Sequence, residues 1–243
     1  MDIFKMKRTV LFLAAAILMG FGLQSCNKED NNGDNNGGGG AGGDTVTVKW
    51  VDLGLPSGLL WADRNVGAKS PEDYGNYYAW GETTPKEFYD WSTYAYSNAL
   101  GAFTKYCSIS DYGLNGFTDS LTTLEASDDA ATVNLGNSAR MPKKDEWKEL
   151  MDNTSTTWTT RNGVYGRLLT GFNGNSIFLP AAGYRITTSL YNTDEGGYYG
   201  SSSLCETIPD CEWTFYFYSY TQDLGDDYRK CGFSVRAVRA SQN

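Results

Sequence analysis

The sequence predicts one α+β domain of about 200 residues, preceded by an N-terminal segment of different composition. Two helix patterns lie within residues 127–151, and short β-like runs come before them. After Asn153 the pattern is β only, with the hairpin-turn dipeptides Asn162-Gly163 and Asn173-Gly174. Two helices together with several antiparallel strands and long loops define this fold class.

Short apolar runs open the domain. The stretch from Trp50 to Trp61 predicts two strands around a Pro-Ser-Gly turn at 56–58. A strand is predicted to end over 65–68, and the next apolar run is Tyr77 to Gly81. Residues 82–120 are rich in Ser, Thr, Asn and Gly, so this part is predicted to form loops.

A short first helix is predicted after residue 127. Ser127 is placed as its N-cap, and two acids follow in the first turn, where the helix dipole favours negative charge. Gly136 is predicted to end the helix.

The second predicted helix, Arg140–Leu150, is the clearest helix pattern in the domain. Pro142 suits a first helical position, because its missing N–H would have no partner there. Trp147, Leu150 and Met151 follow helical spacing and predict an apolar stripe against a sheet. Trp147 and Leu150 are therefore expected to be buried, and Arg140 is expected to pair within the fold.

Strands are predicted for the rest of the chain. The run V-Y-G-R-L-L-T lies between the two Asn-Gly turns, and an apolar strand covers Ser176 to Pro180. Trp213 to Tyr220 alternates aromatic faces. Gly232 to Arg239 alternates apolar and charged residues, which is typical of a half-buried strand. Arg236 and Arg239 on it are predicted to be structural partners of buried acids.

Composition excludes several classes of function. The chain contains no His, which excludes Ser-His-Asp and Cys-His catalysis and His metal sites. Its net charge is −9, and it becomes −11 without residues 1–25, which hold three basic residues and one acid. An acidic chain without basic clusters argues against nucleic acid and against anionic membrane surfaces as partners.

The N-terminal segment predicts export and lipid attachment. Residues 1–25 combine a basic start with an apolar run of 15 residues, too short for a membrane span and typical of a secretory signal. The segment ends in L-Q-S-C, which resembles a bacterial lipobox and implies cleavage before Cys26 and lipidation of its sulfur. The following N-K-E-D is similar to the surface-export signal of Bacteroidetes lipoproteins. The expected location is the outer membrane, lipid-anchored and facing outward.

Residues 26–45 are predicted to form a flexible Asn/Gly-rich tether, because they carry almost no apolar side chains. The folded domain is placed at 46–240. Thr45 and Ser120 each follow an Asp and precede an apolar residue, which resembles an O-glycosylation acceptor of Bacteroidetes.

Six motifs then coincide in order across residues 51–239: V-D-L-G-L-P-S-G-L-L-W-A, Y-Y-A-W-G-E-T, D-D-A-A, R-M-P-K-K-D-E-W, N-G-N-S-I-F-L-P-A-A-G-Y-R and G-F-S-V-R-A-V-R. This set resembles the Fibrobacter succinogenes major paralogous domain of surface lipoproteins. That family is similar to the formylglycine-generating enzyme group. The resemblance implies a C-type-lectin-like fold in which two helices pack on twisted antiparallel sheets.

Four cysteines remain beyond Cys26, and an even count in an exported protein favours disulfides. Four cysteines allow three connectivities. The preferred one is the local pair Cys205–Cys211 with Cys107–Cys231. The alternative is a redox-active Cys205/Cys211 pair like that of the formylglycine-generating enzymes, but the motif that precedes the enzyme's pair is absent.

No metal or other cofactor is predicted. The calcium-binding tripeptides of the related lectins are absent. The acidic pairs at 128–129, 194–195 and 226–227 lack the regular spacing of a known calcium loop.

A carbohydrate-stacking site is the best positive prediction. Aromatic residues make up 14% of the chain; a β core with surface aromatics explains this better than a sugar-binding surface does, because aromatics are favoured in strands. The candidate ligand residues lie in or beside one predicted loop: Tyr184, Arg185, Tyr191, Asn192, Asp194, Glu195, Tyr198 and Tyr199.

The sequence thus favours a non-catalytic binding module for glycan or protein ligands. A structural or assembly subunit of a surface or fimbrial complex is the alternative, and a formylglycine-generating-like oxidase is a remote third.

Overall fold

The computed structural model describes residues 47–136 and 138–241. Within these ranges no helix is long and apolar enough to cross a membrane. Four predictions lie outside the described residues: the signal segment 1–25, the lipidation residue Cys26, the tether 26–45 and the glycosylation candidate Thr45.

The described chain contains thirteen strands, two α-helices and three short 3-10 turns. The 3-10 turns are Trp91–Thr93, Ser110–Tyr112 and Leu114–Gly116. In chain order, the strands and helices are β1 (Trp50–Asp52), β2 (Leu60–Asn65), β3 (Tyr77–Tyr78), α1 (Ala130–Leu135), α2 (Lys144–Asp152), β4 (Thr154–Arg161), β5 (Val164–Gly171), β6 (Ser176–Pro180), β7 (Tyr184–Ile186), β8 (Ser189–Tyr191), β9 (Gly196–Leu204), β10 (Cys211–Tyr218), β11 (Gln222–Tyr228), β12 (Phe233–Ser234) and β13 (Arg236–Arg239).

The strands form four sheets. The largest has the order β11-β10-β9-β12-β3, and two three-stranded sheets have the orders β1-β2-β13 and β4-β5-β6. The hairpin β7-β8 forms the fourth, two-stranded sheet, and an isolated bridge connects its Arg185 to Gly232. Pairing is antiparallel throughout these sheets except between β12 and β9.

The predicted α+β class is wrong, because the described chain is mostly β-sheet. Its two α-helices have only six and nine residues. The sequence pattern missed β9, which reads G-G-Y-Y-G-S-S-S-L, and β11, which reads Q-D-L-G-D-D-Y. Neither alternates apolar and polar residues. Both are held by backbone pairing to β10, so tertiary context overrides their weak strand propensity. The expected arrangement of two helices packed on twisted antiparallel sheets is wrong for the same reason.

The predicted hairpins in the second half are confirmed. Asn162 and Gly163 have φ values of 50° and 85°, as a two-residue turn with both central residues at positive φ requires. They connect β4 and β5, which pair over their full eight residues. The Asn173-Gly174 turn connects β5 to β6, and β6 has the predicted bounds Ser176–Pro180.

Both helices exist, but each begins later than predicted. Asp129, not Ser127, caps α1: its carboxylate accepts from the N–H groups of Ala131 and Thr132. Pro142 lies two residues before α2, whose N-cap is Lys143.

The side chain of Glu146 caps α2 by accepting from the Lys143 N–H at 2.8 Å. Its carboxylate also accepts hydrogen bonds from both terminal nitrogens of Arg140, each at 2.6 Å. The expected pairing of Arg140 within the fold is confirmed.

The main core forms around α2. Trp147 and Leu150 are fully buried, as predicted. Trp147 stacks on Phe215 of β10, with ring centroids 4.8 Å apart and planes 13° apart, and it also contacts Trp61 of β2 at 4.9 Å. A side chain that joins a helix to two sheets in this way supports the scaffold rather than a ligand.

The four domain cysteines, Cys107, Cys205, Cys211 and Cys231, are buried free thiols. The predicted bonds Cys205–Cys211 and Cys107–Cys231 are therefore not formed in this structure. The thiols of Cys107 and Cys211 instead contact local acceptors, the Ile109 carbonyl at 3.2 Å and the Asp210 carboxylate at 3.5 Å.

Candidate functional site

A cleft of about 390 Å³ opens where three separate turns meet. This volume lies within the range of small-molecule sites. We call it the aromatic cleft and define it by its lining residues, Trp158, Tyr165, Asp194, Glu195, Tyr218, Ser219 and Tyr220.

The β4–β5 hairpin supplies one wall. Thr160 pairs with Tyr165, so Trp158 lies diagonally across from Tyr165 on the same face of the sheet. Their rings stack with centroids 5.9 Å apart and planes 14° apart. Trp158 also packs edge-on against the buried Phe217, which anchors this wall to the core.

The turn between β10 and β11 supplies the facing wall. Tyr218 and Tyr220 stack with centroids 5.7 Å apart and planes 9° apart, and Tyr220 is 82% exposed. Beneath them, the buried guanidinium of Arg167 donates to the carbonyls of Tyr218 at 2.7 Å and Thr221 at 2.9 Å. Burial lowers the pKa of Arg167. Arg167 acts as a positioning residue that holds the turn from below.

Two carboxylates border the cleft from the turn between β8 and β9. Asn192 and Asp194 both have positive φ, 56° and 63°, so this turn holds an unusual backbone shape. The Tyr74 hydroxyl donates to one oxygen of Asp194 at 2.7 Å. Burial, followed by this bond, raises the pKa of Tyr74. The side chain of Glu195 is exposed and has no partner within the described residues.

A tyrosine cluster adjoins the aromatic cleft through Tyr218. The hydroxyls of Tyr198 and Tyr218 contact each other, and the Asn192 amide donates to both, at 3.1 and 3.2 Å. Burial and the Tyr218 hydroxyl raise the pKa of Tyr198. Tyr184 packs against Tyr198 at 4.7 Å and stacks on Tyr191 at 5.8 Å.

Six of the eight predicted ligand residues are thus brought together. Asp194 and Glu195 line the aromatic cleft, and four others form the adjoining cluster. That cluster consists of Tyr184, Tyr191, Asn192 and Tyr198.

Tyr199 was predicted wrongly, because it is fully buried. It follows Tyr198 in strand β9, not in a loop, and successive strand residues point to opposite faces. Its ring stacks on Phe217, and its hydroxyl donates to the Pro180 carbonyl at 2.8 Å. Tyr199 belongs to the core.

Arg185 is separated from Tyr184 for the same geometric reason, since both lie in strand β7. Its guanidinium lies over the Tyr77 ring, 5.2 Å from the centroid. It borders a different depression, of about 270 Å³, that also includes Lys86 and Glu87. The expectation that Arg185 borders the same surface as Tyr184 is wrong.

Sequence reasoning missed the aromatic side chains of the cleft, Trp158, Tyr165, Tyr218 and Tyr220. Each lies beside a hairpin turn, and that position was the one available signal. The approach of the β4–β5 hairpin to the β10–β11 turn is a tertiary contact that no local pattern encodes.

No group of three or more potential metal ligands lies together within residues 47–136 and 138–241. Of the acidic pairs noted in the sequence, Asp128 binds the Lys105 ammonium at 2.6 Å and the Tyr106 hydroxyl at 2.6 Å. Its neighbour Asp129 caps α1. Both acids therefore have structural partners.

The cysteine environment is unfavourable for thiolate chemistry. Burial, together with Asp210, raises the pKa of Cys211. Burial, together with Asp227, raises the pKa of Cys231 to about 12. A nucleophilic cysteine requires the opposite shift, which a nearby cation would supply.

Comparison of the chain with protein-family models, with curated proteins and with solved structures found no match.

Proposed function

We propose that the protein is a non-catalytic binding module that holds a glycan in the aromatic cleft. The observation that carries the proposal is the pair of stacked aromatic walls, Trp158 with Tyr165 and Tyr218 with Tyr220, beside two carboxylates. A sugar ring has an apolar C–H face that packs on an aromatic ring, and hydroxyls that donate to carboxylate oxygens.

Contacts within the protein hold both walls in place. The two rings of each pair stack on each other. From the protein interior, Phe217 anchors the wall with Trp158, and Arg167 anchors the turn with Tyr218. The side chains of Trp158 and Tyr218 therefore have little freedom to lose on binding, and such preorganisation favours affinity.

The N-terminal segment supports a proposal for location. The L-Q-S-C sequence and the N-K-E-D that follows favour a lipid-anchored protein on the outer face of the outer membrane, attached through Cys26. A binding module in this position meets extracellular glycans, and the likeness to surface lipoproteins of the major paralogous domain family agrees with it. Ser120 is exposed, so its proposed O-glycosylation is sterically open.

Binding of the purified protein to a glycan array, followed by titration calorimetry of the best ligand, tests the proposal. Tyr220→Ala is expected to weaken binding about two- to tenfold, since a stacked aromatic contact contributes about 0.5–1.5 kcal/mol. Tyr220 is highly exposed, so its loss leaves the fold intact.

Phe172→Ala is the matched control, because Phe172 is 84% exposed and is not among the cleft residues. Equal loss of affinity in both variants would contradict binding in the aromatic cleft. A blank array together with co-purifying partner proteins would favour the alternative function, an assembly subunit of a surface complex.

A further inference from the structure

The charged residues that line the aromatic cleft are all acidic. Its seven lining residues include Asp194 and Glu195 and no basic residue. Arg167 contacts the β10–β11 turn, but its guanidinium is buried, lies 5.9 Å from the Phe217 ring centroid and is bonded to the carbonyls of that turn. The cleft is therefore lined by four aromatic residues, two acids and the neutral Ser219.

No basic side chain within the described residues neutralises these carboxylates. One oxygen of Asp194 accepts from the Tyr74 hydroxyl, and the structure gives the other oxygen no partner within the described residues. The carboxylate of Glu195 has no side-chain partner there either, and neither acid forms an ion pair with a described Lys or Arg. Both acids are left with capacity for a cationic partner.

The aromatic walls also favour a positively charged ligand group. The face of an aromatic ring is electrically negative, so Trp and Tyr faces attract ammonium groups as well as C–H surfaces. A sugar that carries a protonated amine can contact both, with the C–H face of its ring on an aromatic wall and its amine at the acids. A sugar carboxylate or sulfate placed there would instead be repelled by Asp194 and Glu195.

We propose that the aromatic cleft selects glycans that carry free amines, such as oligomers of glucosamine, and rejects anionic glycans. This inference rests on the proposed glycan-binding function and adds the chemical class of its ligand. Glu195 is the selecting residue, and Asp194, held by Tyr74, sets the position of the amine.

Three probes of similar size separate the possibilities: a glucosamine oligomer, the corresponding N-acetylglucosamine oligomer and a uronic acid oligomer. Affinities are measured by calorimetry at about pH 6 and low salt, where the free amine is protonated. The glucosamine oligomer is expected to bind at least tenfold more tightly than its acetylated counterpart. Added salt is expected to reduce that ratio, because screening weakens the charge contribution.

Glu195→Gln supplies the decisive comparison, and Asp111→Asn, also an exposed acid, is the matched control. Glu195→Gln is expected to reduce the preference for the free amine at least threefold while leaving the acetylated oligomer's affinity unchanged. Asp111→Asn is expected to change neither affinity.

Equal binding of the charged and neutral oligomers, or tightest binding of the uronic acid oligomer, would overturn the inference while leaving glycan binding in place. Failure of all three probes, and of every glycan on the array, would overturn the proposed function itself.

Discussion

Arg236 shows how a single residue ties together separate strands. Its fully buried guanidinium donates two bonds to the Asn65 side-chain oxygen, at 2.7 and 3.0 Å. It also donates to the carbonyls of Ala62 at 3.0 Å and Phe178 at 2.9 Å. Burial lowers the pKa of Arg236 to about 10, so it stays charged near neutral pH. The prediction of a structural role agrees with these contacts, but its hydrogen-bond acceptors are amide and carbonyl oxygens rather than a buried acid.

Replacing Arg236 tests this interpretation. Arg236→Met leaves three buried acceptor groups without their donor, and each such group costs about 1–3 kcal/mol. The free energy of unfolding, measured by urea denaturation, is expected to fall by at least about 3 kcal/mol. Arg161→Met is the control, because Arg161 is exposed and forms only a 3.5 Å ion pair with Glu72, worth about 0–1 kcal/mol. The same urea midpoint for both variants would contradict a structural role for Arg236.

Single residues also mark where sequence reasoning succeeds. Trp147 is buried as predicted, because helical spacing fixes which face of α2 is apolar. Tyr199 was misassigned because its stretch was interpreted as a loop, where no alternation applies. Arg185 was placed at the end of a strand, but the alternation of its side chain with that of Tyr184 was not considered. In strands β7 and β9, successive side chains point to opposite faces of the sheet. Adjacent candidates such as Tyr198 and Tyr199 therefore lie on different faces.

At the level of elements, β10 and β11 place two acids opposite each other. Glu212 pairs with Asp227 across the strands. Burial raises the pKa of Glu212 well above its ordinary value, and Asp227 adds to the shift while Arg229 opposes it. Burial and the neighbouring Asp226 raise the pKa of Asp227 to about 7. Both acids thus bind protons more tightly in the folded state than in the unfolded chain.

The sign of the resulting pH dependence follows from linkage. Between the ordinary Asp value of 3.8 and about 7, folded Asp227 keeps a proton that the unfolded chain has lost. The contribution of Asp227 to the free energy of unfolding therefore falls as pH rises through this window and is constant above it. Asp227→Asn is expected to reduce the drop in urea midpoint between about pH 5 and pH 8. An unchanged drop in the variant would show that Asp227 does not contribute to it.

Elements differ in how far the sequence predicts them. The β4–β5 and β5–β6 turns follow from Asn-Gly dipeptides, which act locally. Strand β11 contains Asp223, Asp226 and Asp227, a composition that disfavours strands, yet it pairs residue by residue with β10. Its strand structure comes from the neighbour, and this is why the fold class was misjudged.

For the whole molecule, the aromatic cleft arises only when three parts of the chain meet. The hairpin with Trp158 and Tyr165, the turn with Asp194 and Glu195, and the turn with Tyr218 and Tyr220 lie far apart in sequence. The acids could be predicted because they cluster with tyrosines in one stretch. The two walls could not, since their approach depends on how the sheets pack.

The most direct test of the account follows the indole N–H signals of the seven Trp residues by NMR during titration with a glucosamine oligomer. Trp158, assigned with Trp158→Phe, is the only tryptophan among the cleft residues, whereas Trp147 is fully buried in the core. Binding in the aromatic cleft is expected to give a saturable shift of the Trp158 signal and an unchanged Trp147 signal. Binding that leaves the Trp158 signal in place while another indole shifts would contradict the assignment of the aromatic cleft as the binding site.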